Sequence, residues 1–342
     1  MTTAVIPGHK QLRNGIFVPE NQSAKEIVKE MQDVMGAPRP YVPRDSEVLI
    51  FKFCFENKLP LMTVGPPGCG KTTFAEWMAY ENGMAVINIP FTEETSVSDH
   101  RGRKGIWTDA AGGKHMIFHD GPVTQAVRAG NCMIYLDEVR KAREGLSFYY
   151  PLTDHRRLLV NNIASEVIKM PDNVMIVASY NPGTLFGSNE LEPAFARRFI
   201  TLRFDHLPRE EEKQVILERS GETGERGTEE MVAAFKSKML DDEGKIAERA
   251  ARVKGHAPEI ADGLTEGLEL VREEIMNGSA VVKEQPGDSG AINAMELIMA
   301  GFDYATAIAA AIVNPILSDL DPNWRQTADG LVEVIKNKIP VY

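Results

Sequence analysis

The sequence predicts an α/β domain built on a parallel sheet of five strands, followed by an all-helical domain. Two observations carry this. The short apolar runs "LPLMTV", "AVINI" (85–89), "CMIYL" (132–136), "VMIVASY" (174–180) and "ITLRF" (200–204) alternate with helical stretches. Runs this continuous suit strands buried on both faces, and strands alternating with helices argue for a parallel sheet covered by helices. Beyond residue 206 the strand signals stop and helical periodicity takes over.

The elements follow in order. Residues 1–20 show no periodicity and are expected to be partly mobile. At 23–36, Ser23 and Glu26 form a capping-box pattern, Ile27, Met31, Val34 and Met35 make one apolar face, and Gly36 supplies a stop. "APRPYVPR" is a proline-stiffened linker, and 46–57 reads as a helix. In the C-terminal part, "REEEKQVILERSG" is a charged helix. The stretch 228–285 is rich in Glu, Lys and Arg, with Ile260, Leu264, Leu268, Val271 and Ile275 recurring every three or four residues; its charged helices at 228–275 read most simply as a solvated extension, with docking of a partner as the alternative. "AINAMELIMAG" and "DYATAIAAAIV" are apolar helices, with Asp303 as an N-cap and Pro315 as a stop. The domains expected are 1–45, an N-terminal helix and linker; 46–206, the α/β core; and 207–342, the helical domain with a charged insertion near 220–285.

The chain has 342 residues and a formal net charge of -11. An acidic surface argues against a nucleic-acid partner, which favours a basic patch. Cys54, Cys69 and Cys132 lack metal-ligand spacing and read as reduced thiols, which fits a cytoplasmic protein. There is no N-terminal basic-then-apolar signal, and the longest apolar run, near 305–313, is too short to span a bilayer.

The chemistry begins at "TVGPPGCGKTT", residues 63–73. Gly65, four residues, then Gly70-Lys71-Thr72 is a phosphate loop, and its context is right, with a strand before it and a helix after. Glycines at 65, 68 and 70 let backbone N–H groups converge on phosphate oxygens, and the helix N-terminus adds a favourable dipole. The candidate nucleotide-binding residues are Gly65, Pro66, Pro67, Gly68, Cys69, Gly70, Lys71, Thr72 and Thr73, together with Asp137. Lys71 is placed to reach the β- and γ-phosphates and Thr72 to hold Mg²⁺. "CMIYLDE" ends an apolar strand in Asp137-Glu138, one carboxylate for the metal and one to polarise water. That pair favours hydrolysis over phosphoryl transfer to a small molecule. Asn181, just past the next strand in "VASYNPG", lies at the same sheet end and is a candidate to orient water or sense the γ-phosphate. "LEPAFARRFI" offers Arg197 and Arg198 as an arginine finger. His115, His119 and Asp120 are close in sequence, but nothing supplies a fourth metal ligand, and a polar hairpin is the simpler reading.

The motifs "GPPGCGKT", "SDHRGR", "HDGPVTQAVRAG", "YLDEV", "PLTDHRRLL" and "SYNPG" resemble the AAA+ ATPases of the MoxR branch, and within it the CbbQ/NorQ group, over residues 38–205. The resemblance implies an AAA+ core with a helical lid, ATP and Mg²⁺ as ligands, and a homo-oligomeric, hexameric ring. It assigns Asn181 to the first sensor, Arg198 to the finger, residues 156–170 to a hairpin before that sensor and "ETSVSDHRGRKGIW" to pore-facing loops. Tyr41 and Pro43 fall where the family's linker approaches adenine. It further implies a partner with a von Willebrand factor A domain and a client metalloenzyme, with Rubisco and nitric oxide reductase as candidates. The family's lid often starts a helix with an arginine, yet the corresponding stretch here, "GDSGAINAME", has none. Two other readings fit the same motifs: the ATPase subunit of a cobalt or magnesium chelatase, and a nucleotide switch or small-molecule kinase that forms no ring.

Overall fold

A computed structural model of the chain describes residues 6–39, 41–42, 44–142, 144–182, 191–213, 215–217, 243–277, 285–316 and 324–342. The chain divides into two units. One holds Met1–Val64 and Lys71–Arg203; the other holds Gly65–Gly70 and Phe204–Tyr342.

In the first unit, strands β1 (His9–Gln11) and β2 (Phe17–Pro19) precede helices α1 (Asn21–Met35) and α2 (Asp45–Glu56). Then come β3 (Leu61–Val64), α3 (Lys71–Glu81), β4 (Ala85–Pro90), α4 (Val97–Arg101), β5 (Gly102–Thr108), β6 (Lys114–Asp120), α5 (Pro122–Ala129) and β7 (Cys132–Asp137). A short helix α6 (Tyr150–Thr153), the hairpin β8 (Leu158–Asn161) and β9 (Glu166–Lys169), β10 (Val174–Tyr180), α7 (Pro193–Ala196) and β11 (Ile200–Arg203) complete it. The five predicted strands form one sheet in the order β11-β3-β10-β7-β4, every pair parallel. All four residues of β3 and the first five of β7 are buried, as an apolar run sandwiched by helices requires. Met62, Ile87, Ile134, Leu136 and Ile176 are among the side chains of this core.

Residues 6–20 hold two strands that no periodicity in the sequence announces. β1 and β2 join the β5–β6 hairpin in a four-stranded sheet of order β1-β2-β6-β5, and Val18 and Phe118 pack beneath it with Ile16 and Ala164. Strands of three residues are too short for a period to declare itself, and their pairing is non-local. Helix α1 departs from expectation. It starts at Asn21, so Ser23 lies inside it and donates to the Gly8 carbonyl instead of capping. Its buried residues are Ala24 and Val28, while Ile27, Met31, Val34 and Met35 face outward; Gly36 ends it at φ 63.

Arg128 on α5 is a buried hub. Its Nε donates to Asp120 at 2.6 Å, its Nη1 to Glu166 at 3.0 Å, and its Nη2 also donates to Glu166. It thereby ties the end of β6 to the β8–β9 hairpin. Truncating one partner of a buried ion pair leaves charge without compensation, which costs about 3–5 kcal/mol. Arg128→Ala is expected to lower the unfolding free energy of this unit by about that amount in urea titration. A loss under about 1 kcal/mol, within the range of exposed pairs, would show the hub to be dispensable.

The second unit is helical in its described C-terminal residues. Its helices are Glu243–Val253, Ala257–Met276, Asp288–Met299, Tyr304–Ile308 and Trp324–Lys336, and a π-helical stretch, Ala309–Val313, follows Tyr304–Ile308. Asp303 caps Tyr304–Ile308, accepting from the Thr306 N–H at 3.0 Å. Pro315 sits inside a last helical turn, Asn314–Ile316, rather than before it. The stretch expected to be a solvated extension is part core: Ile260, Leu264, Leu268 and Val271 are fully buried on Ala257–Met276. Residues 228–242 and 278–284 of the charged stretch 228–285 lie outside the described residues.

Within this unit Arg272 donates to both carboxylate oxygens of Glu212, at 3.1 and 3.3 Å, and to Asp288 at 2.9 Å; His206 reaches Asp288 at 3.2 Å. Burial, reinforced by Asp288, pushes the Glu212 carboxyl up to about 8 despite Arg272. Burial opposes ionisation of Asp288 too, but hydrogen bonds from His206 and Glu212 hold it below its usual range. Between the ordinary carboxylate range and about 8, the folded chain thus keeps a proton on Glu212 that the unfolded chain releases. Stability from this group is present at acid pH and is lost as pH rises through that window. The melting temperature should fall between about pH 5 and about pH 8, and Glu212→Gln should flatten the fall. Parallel profiles for the two proteins would remove Glu212 as its source.

Candidate active site

The ends of β3, β7 and β10 place the predicted chemistry in the first unit. A strand's side chains alternate, so Tyr135 and Asp137 share one face of β7. The pairing of Ala178 with Leu136 brings Ser179 beside Asp137. Lys71, at the start of α3, is buried and donates to Asn181 Oδ1 at 2.7 Å. Asn181 Nδ2 in turn donates to Glu138 Oε1 at 2.5 Å. The lysine, the asparagine and the second carboxylate thus form one hydrogen-bonded chain across 110 positions of sequence.

A second chain runs beside it. Thr72 Oγ1 and the Tyr135 hydroxyl lie 3.2 Å apart, the Tyr135 hydroxyl also bonds Ser179, and Ser179 Oγ donates to Asp137 Oδ1 at 2.6 Å. The Glu138 N–H donates back to Ser179 Oγ at 3.3 Å. Burial raises the Tyr135 phenol, with Asp137 adding to the shift, so it stays a neutral hydroxyl. Thr72 and Asp137 offer a hydroxyl and a carboxylate, hard oxygen donors of the kind Mg²⁺ takes, with its remaining positions left to water and phosphate. The donor chemistry fits the metal.

Glu138 occupies the left-handed region, φ 56 and ψ 45. A non-glycine residue there costs on the order of 1–3 kcal/mol and clusters at functional positions. Here the turn ends β7 and sets the Glu138 carboxylate against Asn181. Arg140 holds the other side of that asparagine, donating to its carbonyl at 3.2 Å.

In the second unit, the loop Gly65–Gly70 carries Gly68 at φ +77 and Gly70 at φ +89, which glycine adopts at little cost. A Cβ at Gly65 would stand 2.3 Å from the Phe204 carbonyl oxygen, so that position is closed to any side chain. Cys69 is buried. The helix Asp288–Met299 starts without an arginine of its own, and Arg272, from Ala257–Met276, and His206 both reach Asp288 at its N-terminus.

Arg198 is not part of either hydrogen-bonded chain. Its guanidinium lies 4.2 Å from the centroid of the Tyr150 ring and donates to the Ala194 carbonyl, while Arg197 is exposed. Tyr41 donates to Glu47 at 2.6 Å and packs against Phe74 and Trp77; Pro43 lies outside the described residues. His115 pairs with Asp109 and Asp120 with Arg128. Among the described residues no three His, Cys, Asp or Glu side chains converge as metal ligands. No helix among them is long and apolar enough to cross a membrane.

Tyr135 and Ser179 were not singled out from the sequence. Their signal is a hydroxyl near the C-terminal end of an otherwise apolar buried strand. Such a group must find a partner, because burying it without one costs on the order of 1–3 kcal/mol.

Residues 60–199 match the family described as AAA domain (dynein-related subfamily). The chain is 33% identical over 238 residues to Protein CbbQ of Hydrogenophilus thermoluteolus, covering 69% of this chain and 79% of that protein. It is 34% identical over 190 residues to the denitrification regulatory protein NirQ of Stutzerimonas stutzeri, covering 55% and 67% respectively. To Protein NorQ of Paracoccus denitrificans it is 36% identical over 182 residues, covering 53% and 65%.

Proposed function

The chain belongs to the AAA ATPases, in the CbbQ/NorQ group of the MoxR branch, and we propose that it is a ring-forming, Mg²⁺-dependent ATPase that activates a client metabolic enzyme. The observation that supports this best is the chain Lys71–Asn181–Glu138 beside Thr72–Tyr135–Ser179–Asp137. Lys71 neutralises the β- and γ-phosphates of ATP, and Thr72 and Asp137 hold the metal. When bound, Mg²⁺ supplies charge stabilisation for the phosphoryl group in transfer. Glu138 accepts a proton from the attacking water, and Asn181 keeps that carboxylate and the phosphate end in register. Lys71 can exchange its bond to Asn181 for a phosphate oxygen, so nucleotide entry is reported to Asn181 and onward to Glu138. The backbone N–H groups of Gly65–Gly70 cradle the phosphates.

Arg198 stacks on Tyr150 within its own chain, which supports a role as the finger for a neighbouring copy. ATP is then hydrolysed between copies in a hexameric ring, and the β5–β6 and β8–β9 hairpins, joined through Arg128, carry the change to the client. A von Willebrand factor A domain protein recruits that client, a metalloenzyme of the Rubisco or nitric oxide reductase type. An acidic chain with no membrane-crossing helix among its described residues fits action in the cytoplasm.

The test combines binding and activation. Lys71→Ala should lose ATP binding in calorimetry. Wild type with ATP and a von Willebrand factor A domain partner should raise the activity of an inhibited or metal-poor client, whereas Lys71→Ala should not. Undiminished ATP binding by Lys71→Ala would overturn the site. Equal client activity with and without ATP would overturn the activator role.

A further inference from the structure

The two edges of the five-stranded sheet each carry an exposed apolar ridge that the core does not use. Over the β4 edge lies α1, which packs on β4 and α5 and turns Ile27, Met31, Val34 and Met35 outward; Val34 is 87% exposed. Its C-terminal end borders a groove of about 250 Å³ lined by Met35, Arg39, Glu76, Tyr80 and Met84 among others. At the opposite edge α2 packs on β11 and turns Leu49 and Phe53 outward, 66% and 55% exposed. Isolated exposed apolar side chains are ordinary, but stripes at helical spacing mark interaction surfaces.

The two ridges carry charges in opposite order. Along α2, Leu49, Lys52, Phe53 and Glu56 read apolar, positive, apolar, negative. Along α1 and its continuation, Ile27, Glu30, Met31 and Arg39 read apolar, negative, apolar, positive. All four charged residues are exposed. One surface ends in a groove and the other presents an aromatic ring. We propose that they are the two halves of one contact between copies of this chain. Phe53 of one copy enters the groove of the next, with Lys52 toward Glu30 and Glu56 toward Arg39. The inference rests on the reading that the chain assembles with itself, and it names the surfaces. The halves differ and lie on opposite edges, so the contact is head-to-tail. Such a contact leaves one free half at each end and generates a ring when the rotation closes.

Phe53→Glu and Val34→Glu test this, both at exposed positions outside the active site. Masses are measured with ATP and Mg²⁺ present, with ATP binding confirming that each variant is folded. Wild type should assemble, and each variant alone should run at the monomer mass of 37.9 kDa. An equimolar mixture should give a species of twice that mass and nothing larger, because one intact groove meets one intact ridge. If both variants assemble as wild type does, the surfaces are wrong while self-assembly stands. If the variants are monomeric but their mixture forms no pair, these two faces do not meet, and a client or another partner covers them. A wild type monomeric under every nucleotide condition overturns self-assembly and this contact together.

Discussion

Arg198→Ala is expected to bind ATP as tightly as wild type and to hydrolyse it about 10³–10⁵ times more slowly, the range over which arginine fingers contribute. The reason is local. Arg198 takes no part in the Lys71–Asn181–Glu138 chain proposed to meet the phosphates, so its loss should leave ground-state binding alone. Its guanidinium is supported by the Tyr150 face at 4.2 Å and by the Ala194 carbonyl, which fixes a charge at the surface instead of burying it. A cation held this way costs little to reorganise when charge develops on a neighbour's nucleotide. Arg197→Ala, by contrast, should lose little, since that side chain is exposed and no ring stacking or hydrogen bond among the described residues holds it. Phosphate release under single-turnover conditions checks both. A larger loss in Arg197→Ala than in Arg198→Ala would exchange their roles.

Glu138→Gln should bind ATP and hold it. A general base contributes about 10²–10⁴ in rate, and a loss in that range is expected in steady-state phosphate release. Glutamine keeps the size of the side chain and an oxygen that still accepts from Asn181, so the geometry survives while the base is lost. Nucleotide should remain trapped as ATP, which chromatography of the bound nucleotide would show. Turnover at the wild-type rate would place the water-activating group elsewhere.

The central sheet and the phosphate loop were legible in the sequence for a physical reason. A strand buried on both faces is an uninterrupted apolar run, and a phosphate loop must be glycine-rich. That Asp137, Glu138 and Asn181 come together at one end of the sheet was legible because they end those runs. What was hidden depends on contacts between distant residues. β1 and β2 are three residues each and exist through pairing with each other and, for β2, with β6. The Arg128 hub joins Asp120 to Glu166, and neither pairing has a local spacing to announce it. Tyr135 passes in sequence for an ordinary core aromatic, yet its hydroxyl reaches Thr72 and Ser179. Helix α1 misled in the other direction: Ile27, Met31, Val34 and Met35 are an apolar face, and periodicity alone reports amphipathicity without saying what covers it. The helix Ala257–Met276 is charged overall, and the large apolar side chains of its buried side, Ile260, Leu264, Leu268 and Val271, are outnumbered there by small and polar residues such as Ala261, Gly263, Thr265, Gly267 and Arg272.

Catalysis shared between copies is tested most directly by mixing two inactive proteins, Lys71→Ala and Arg198→Ala, and measuring ATP hydrolysis. The first lacks a working phosphate site but keeps its finger; the second lacks the finger but keeps its site. Where the two meet in one ring, some interfaces pair an intact Lys71 with an intact Arg198, so the mixture should recover a fraction of wild-type turnover that neither protein has alone. If labelled subunits demonstrably exchange and the mixture stays as inactive as its parts, the finger does not act between copies.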